Sequence, residues 1–443
     1  MLQPKRLLNL ENFTNFLLYV IPISLIAGSL IINLNILAFI VFGAILIRKR
    51  RLAFQLNKTK LFLSIFFILI IISSIINISI VGIENITKSV FLLRFLILYF
   101  IIEILLINSL LNLRKLFVVS LICTSFVSID LLIQYTFGKN ILGYEPIGSN
   151  VLTGIFFDEA IAGGFIQKLF LLSLIGLIIF YDKKNFPKKY ILPVVLIHTI
   201  AIFVSTNKMP FILIMFSILL LILFFKELRI HSIIYFILTI VISIIIAKND
   251  ANLHQRYKSF YVKIFGTETA HTHRNINIEN EQTSRPWTLA PSVISKMNFF
   301  QQGVGSEHGI IYLVAFESFK KSMLIGNGLK SIRINCKKVV LSKGEMCLAH
   351  PHNFHLEILN DAGLLGYLSL TFFVILTILK SLKNYQYKTT FVQKCIFIFI
   401  LLNFLIEIWP LKSTGSLFST WTGSITWLTV ALTSYNLKNT SLK

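Results

Sequence analysis

The sequence predicts an all-α polytopic membrane protein of about twelve spanning helices, with one large loop on the outer face. Three observations predict it. Of 443 residues, 55% are hydrophobic and only 14% charged, and the mean hydropathy is +0.78, which does not describe a soluble domain. Apolar runs long enough to cross a bilayer, which takes ~20 residues, recur along the chain. The basic residues fall mostly in short connections between those runs. A formal charge of +23 would otherwise suggest nucleic acid as a partner. Its placement is instead what the positive-inside rule produces, and no nucleic-acid partner is expected.

The order of the runs sets the orientation. Lys5 and Arg6 precede apolar runs at 14–31 and 33–47, and the second ends in Arg48-Lys49-Arg50-Arg51, then Lys58 and Lys60. That cluster marks the cytoplasmic side. Runs at 61–82, 88–108 and 115–137 follow, with Arg114 and Lys115 between the last two. The run 160–180 is closed by Lys183, Lys184, Lys188 and Lys189. Runs at 190–206, 209–225 and 230–247 come next, with Lys226 and Arg229 before the last, and 363–380, 391–409 and 416–436 complete the set. Alternation from a cytoplasmic N-terminus puts every basic cluster inside and both termini in the cytoplasm. The outer connections keep Lys88, Lys139, Lys208 and Lys412 as their main positive charges. The first hairpin is short enough to be re-entrant. The chain divides into helices 1–9 over residues 1–247, an outer loop over 248–362 and helices 10–12 over 363–443. With a second run directly after the first and no small-residue cleavage site, no cleavable signal is expected.

Charge inside the hydrocarbon is costly and needs a reason. Arg94 lies in the fourth run, either snorkelling, pairing with another helix or serving an anion. Asp130 and Gln134 share a face of the fifth, four residues apart. Asp158 and Glu159 sit just outside the sixth, where they could orient an acceptor or pair with loop arginines. Cys123 and Cys395, within apolar runs, read as packing residues.

The densest polar cluster is Cys347-Leu-Ala-His350-Pro-His352-Asn353-Phe-His355-Leu-Glu357, followed by Asn360-Asp361-Ala-Gly363-Leu-Leu-Gly366. Pro351 suits the first turn of a helix and Gly363 its stop or bend. His352 would then lie near the positive helix end, which favours a neutral imidazole. His352 and His355 would share one face, and Asn353 and Glu357 another. A capped surface helix would look the same, and the spacing of His350, His352 and His355 also permits a zinc site. Upstream, Gly326-Asn-Gly328 is followed by Lys330 and Arg333, and backbone amides with two cations would suit a phosphate.

The string from His350 to Gly366 resembles the signature of the bacterial O-antigen ligase and O-antigen polymerase superfamily. So do Asp130 to Tyr144, Gly154 to Gly163, the helix from His308 to Phe319 with its Gly-x-Gly turn, and the outer turn from Trp409 to Trp421. The chain departs from the family at Glu357, which is usually Gln, at Lys208, which falls in a Ser/Thr-Gly-x-Arg turn, and at His308, where many members have Arg. Lysine keeps the charge but loses the bidentate fork. The resemblance implies a GT-C-like, metal-independent, inverting glycosyltransferase without a cofactor, in the inner membrane of a Gram-negative bacterium. Its donor would be an undecaprenyl-pyrophosphate-linked glycan among membrane lipids, and its acceptor lipid A-core. On that reading His352 and Asn353 are catalytic. Lys208, Lys330, Arg333 and Arg94 meet the pyrophosphate, and Asp158, Glu159, His308, His350 and Glu357 support them or the acceptor. In the oxidising periplasm Cys336 and Cys347 are expected to form a disulfide. Ligation of O-antigen is the preferred reaction and repeat-unit polymerisation the alternative. A transporter is more remote, because no internal repeat around a midplane site is seen.

Overall fold

The computed structural model describes residues 4–148, 151–180, 191–265, 287–289, 307–334, 340–342 and 350–436. They are almost entirely helical. Helices α1 (Pro4–Tyr19) and α2 (Ile21–Ala27) meet at 47° and reverse into α3 (Ser29–Lys49). Arg50 pairs with Glu11 at 3.0 Å and the Phe42 ring meets Phe13 edge-on at 4.7 Å, so the hairpin is closed along its length. Then come α4 (Lys58–Ile76), α5 (Ile78–Phe91), α6 (Leu93–Ile107), α7 (Leu113–Phe137) and α8 (Ala162–Phe180). Four more follow: α9 (Ile191–Val204), α10 (Lys208–Phe224), α11 (Arg229–Asn249) and α12 (Ala251–Phe265). In the long loop lie α13 (Glu307–Phe319) and an antiparallel pair, β1 (Trp287–Leu289) with β2 (Val340–Ser342). The chain ends with α14 (Phe354–Tyr385), α15 (Phe391–Glu407) and α16 (Thr420–Asn436).

Among the described residues, seven helices are long and apolar enough to cross a membrane, or eight if α1 and α2 form one bent span. Helices α9 and α10 are shorter but apolar. One boundary differs from the sequence reading. The run read as 61–82 ends at Ile76, because Asn77 leaves helical geometry, and residues 78–91 form a separate helix broken at Gly82 (φ 71°). Apolar side chains continue through that break, so hydropathy alone runs past it.

The packing that positions the loop is α4 against α14. At one end of the pair Lys380 Nζ donates to Thr59 Oγ1 at 2.7 Å, and Lys60 pairs with Glu103 of α6 at 2.9 Å, both charges buried. At the other end Ser73 Oγ donates to the Asp361 carbonyl at 2.8 Å. Between the ends a wholly buried Trp427 sits among Phe66, Phe67 and Phe95, centroids 4.9–6.4 Å away. Rings of this size supply the largest share of apolar burial per residue.

Helix α14 bends at Gly363 (φ 66°), as its composition predicts. The bend has a purpose in packing. The turn after α13 lies on it: Leu364 N donates to Met323 O at 2.8 Å and Leu365 N to Leu324 O at 3.1 Å. A β-carbon on Gly363 would lie 2.4 Å from Leu324 O, and one on Gly326 would lie 2.5 Å from Gly363 N. Two glycines here let two backbones touch. Replacement Gly363→Ala adds both that clash and a left-handed alanine, so the solubilised protein should lose at least about 2 kcal/mol of stability. Gly164→Ala, where a β-carbon meets nothing within 4 Å, is the control and should melt like wild type. An unchanged melting temperature for Gly363→Ala would refute the contact.

Candidate active site

The polar cluster starts α14, but the helix begins at Phe354, three residues after Pro351. Asn353 is the N-cap: its Oδ1 accepts from His355 N at 2.9 Å and Leu356 N at 3.1 Å. Its Nδ2 donates to Pro410 O at 2.7 Å, and its side chain also bonds Tyr312 of α13. The Asn353 amide is therefore committed to holding three segments together. His352 precedes the cap instead of occupying the first turn, at φ 52°, so it and His355 do not share a helix face. The expected His352 position fails because an Asn side chain caps better than Pro351 starts a turn. His352 O accepts from Thr414 N at 2.9 Å, and its ring lies 4.2 Å from that of His350, tilted by 52°. His355 turns away, bonded to Ile408 O at 2.9 Å and Tyr367 Oη at 3.2 Å. The three histidines do not converge, and among the described residues no three His, Cys, Asp or Glu side chains are grouped as metal ligands.

Two buried carboxylates brace this segment. Glu357 Oε2 accepts from Leu417 N at 2.8 Å and Oε1 from Ser416 Oγ, tying α14 to the turn before α16. Asp361 Oδ2 accepts from Lys330 N at 2.8 Å, and its Oδ1 from Asn360 Nδ2 at 2.7 Å. The Gly-Asn-Gly amides are used inside the protein. Asn327 N donates to Asn360 O, Gly328 N to Ser73 Oγ at 2.9 Å, and Leu329 N to Ser74 Oγ at 3.0 Å. That corrects the phosphate reading of the turn: with its donors used, it serves as a dock on α4 and α14, and only its side chains are left for a ligand.

Those side chains open into a cavity of about 550 Å³, lined by Lys330, Arg333 and His350. Lys88 and Glu84 of α5 and the hydroxyls of Ser416, Ser419 and Thr422 complete its polar wall. Burial, then the neighbouring charge of Lys88, lowers the Lys330 pKa. Burial first, and His352 second, push His350 down to about 4. Its Nε2 is buried with no hydrogen-bond partner among the described residues. A neutral imidazole beside three cations, bonded to the Thr414 backbone and with no partner on Nε2 among the described residues, can accept a proton or a hydroxyl donor there.

The other predicted residues lie apart from this cavity. Lys208 starts α10, its ammonium 5.1 Å from the Phe260 ring of α12, and Arg256 donates to the adjacent Thr206 Oγ1 at 3.0 Å. Arg94 donates to Phe91 O at 2.9 Å and stacks on Phe95. Neither lines the cavity. Asp130 accepts from Ile141 N at 2.9 Å, and Gln134 Oε1 from Thr153 N and Gly154 N, so this pair anchors the loop after α7. Asp158 and Glu159 are exposed, and among the described residues no arginine pairs with either. His308 falls in the first turn of α13. Cys336 and Cys347 lie outside the described residues.

Sequence reasoning missed Lys88 as a site residue, although Glu84-x-x-x-Lys88 has ion-pair spacing. It also missed a buried triad. Glu407 takes Lys168 on Oε1 and Lys412 on Oε2, the latter at 2.7 Å, and Thr426 also donates to it. Both ammonium groups face the Phe354 ring, at 5.9 and 5.0 Å. Lys168 is isolated within an apolar run, which was the available signal.

A cation-lined cavity at one end of a bundle of apolar helices, with a histidine segment at its edge, has the chemistry to receive an anionic group at a membrane surface. Residues 193–371 match the family model for O-antigen ligase. That match supports the O-antigen ligase and O-antigen polymerase superfamily, which implies glycosyltransferase-like chemistry on lipid-linked glycans. No curated protein matches the chain.

Two predictions test this architecture. Glu407→Gln leaves two buried lysines without their counter-charge and should cost about 3 kcal/mol or more, partly recovered by adding Lys412→Met. Thermal unfolding reads both. For His350, the folded pKa of about 4 lies below the ~6.5 of an unfolded histidine. The unfolded chain binds the proton first, so stability should fall as pH drops from ~6.5 towards 4. Unfolding midpoints measured across that range should slope less in His350→Gln; an identical slope would sink the assignment.

Proposed function

We propose that the protein is an O-antigen ligase, moving polysaccharide en bloc from undecaprenyl pyrophosphate to lipid A-core on the periplasmic face. One observation carries the reading. Lys330 and Arg333, expected at the pyrophosphate, line one cavity with His350, against whose ring His352 stands. Lys88 joins them as a third cation. The acceptor hydroxyl oxygen attacks the anomeric carbon as the bond to the pyrophosphate oxygen breaks. The His352 imidazole takes the hydroxyl proton, and the pyrophosphate leaves with the bonding electrons. Lys88, Lys330 and Arg333 stabilise the charge that develops on it. Displacement from the opposite face inverts the anomeric centre, and the step needs no metal. Asn353 acts by position, through the cap that fixes His352, and Glu357 by holding the 415–417 turn against it. Lys208 and Arg94, away from this cavity, are assigned to the flanking lipid-facing surface of the donor. Asp158 and Glu159, exposed at the same end, are assigned to the acceptor.

Twelve spans in a GT-C-like arrangement, with both termini cytoplasmic, remain the preferred topology. What supports it is that each apolar run contains a helix, and that Lys60 and Lys380 share the end opposite the cavity. The loop 248–362 is then the periplasmic unit between helices 1–9 and 10–12.

A lipopolysaccharide gel of a deletion strain tests the reaction. Bare core, with long polymer held on the lipid carrier, is the expected result, and His352→Ala should fail to restore the ladder. Core carrying a single repeat would make the protein the polymerase. Full restoration by His352→Ala would remove His352 from the chemistry.

A further inference from the structure

Among the described residues lining the cavity there is one carboxylate, Glu84. It is fixed there by close packing. Val81, three residues earlier and just before the break at Gly82, touches Gly328 of the docked turn, where an added β-carbon would lie 2.9 Å from Val81 Cγ1. The segment leading into the helix that carries Glu84 is therefore in direct contact with the turn that carries Lys330 and Arg333, and all three side chains line the same cavity. Glu84 Oε1 pairs with Lys88 Nζ, one helical turn on, and the charges of Lys330 and Arg333 act on the same carboxylate. Both members of the pair are exposed, at 79% for Glu84 and 44% for Lys88, so the pair can open without unpacking anything.

We propose that Glu84 is the resident counter-ion of this anion site. Its carboxylate holds Lys88 when no diphosphate is bound, yields it when the donor arrives, and reclaims it as the diphosphate product departs. The inference rests on the cavity's being the pyrophosphate site. An exposed ion pair is weak, too weak to exclude a diphosphate that meets three cations at once. It is enough to matter for release. Donor and product carry the same diphosphate, so a site made only of cations would hold the product as firmly as the substrate. A carboxylate competing for one of the three lowers the affinity for both and shortens the lifetime of the product complex. Lys88 is also the cation that a competitor can take most easily, since Lys330 is tied through its backbone to Asp361 and packed in the dock.

The test is titration of the full-length protein in lipid nanodiscs with inorganic pyrophosphate, by calorimetry. Glu84→Gln should bind more tightly than wild type, by up to about five-fold, as expected for the loss of an exposed pair. Lys88→Gln should bind more weakly. In the Lys88→Gln background, Glu84→Gln should tighten binding less than it does in wild type, because the carboxylate's strongest interaction is with that ammonium. Wild-type affinity in Glu84→Gln, or equal tightening in both backgrounds, overturns the counter-ion role. Failure of the underlying reading looks different: wild type would not bind pyrophosphate, or Lys330→Gln with Arg333→Gln would bind it undiminished.

Discussion

Much of this structure depends on two backbones being allowed to touch. At Gly363 and Gly326 the bend of α14 and the turn after α13 approach more closely than any side chain permits. Once they meet, the rest of the docking is determined. Ser73 and Ser74 of α4 reach the Gly328 and Leu329 amides, Asp361 reaches the Lys330 amide, and Asn77 donates to Gly326 O. Each neutral bond adds only ~1 kcal/mol net, and those to the carboxylate somewhat more. Together they fasten an extramembrane segment to two spanning helices through hydrogen bonds that need the backbone where the glycines let it be. Lys330 and Arg333 take their direction from that fastening.

The protein uses charge in two opposite ways. In the bundle, Glu407 between Lys168 and Lys412, and Glu103 with Lys60, are buried and compensated. Desolvation offsets most of their attraction, so they add little net stability while making any single loss strongly destabilising. In the cavity the balance is reversed: Lys88, Lys330 and Arg333 face one carboxylate, in partial contact with water. There the unbalanced charge is available to a ligand. The first kind fixes the helices and the second kind waits for an anion.

The sequence disclosed most of what depends on hydropathy and on strong local signals. Spanning helices follow from long apolar runs, the bend at Gly363 from glycine in a helical pattern, and the site's location from the polar cluster between His350 and Asp361. Contacts between distant segments were not legible. The Gly-Asn-Gly turn has the composition of a phosphate loop, and only the fold reveals that α4 and α14 consume its amides. His352 was placed inside the first turn and lies before the cap, because Pro351 and Asn353 both favour a helix start, and the cap is settled by what Asn353 can reach, namely Pro410 O. Lys88 looked like an interfacial charge because α5 was not seen as a helix of its own. Lys208 and Arg94 looked like members of one cation cluster because residue type carries no distance.

The buried triad has a consequence for the order in which the chain is made. Lys168 and Glu407 are separated by 239 residues. During synthesis α8 emerges with its lysine long before α15 supplies the carboxylate, and Lys412 arrives last. Until then Lys168 is a charge in an apolar helix with no partner, held at a water-accessible edge of the growing bundle or at the insertion machinery. The last two helices are thus the step that makes α8 a settled membrane segment. A chain stopped short of residue 407 therefore keeps, in the middle of an apolar helix, a lysine whose counter-charge has not yet been made.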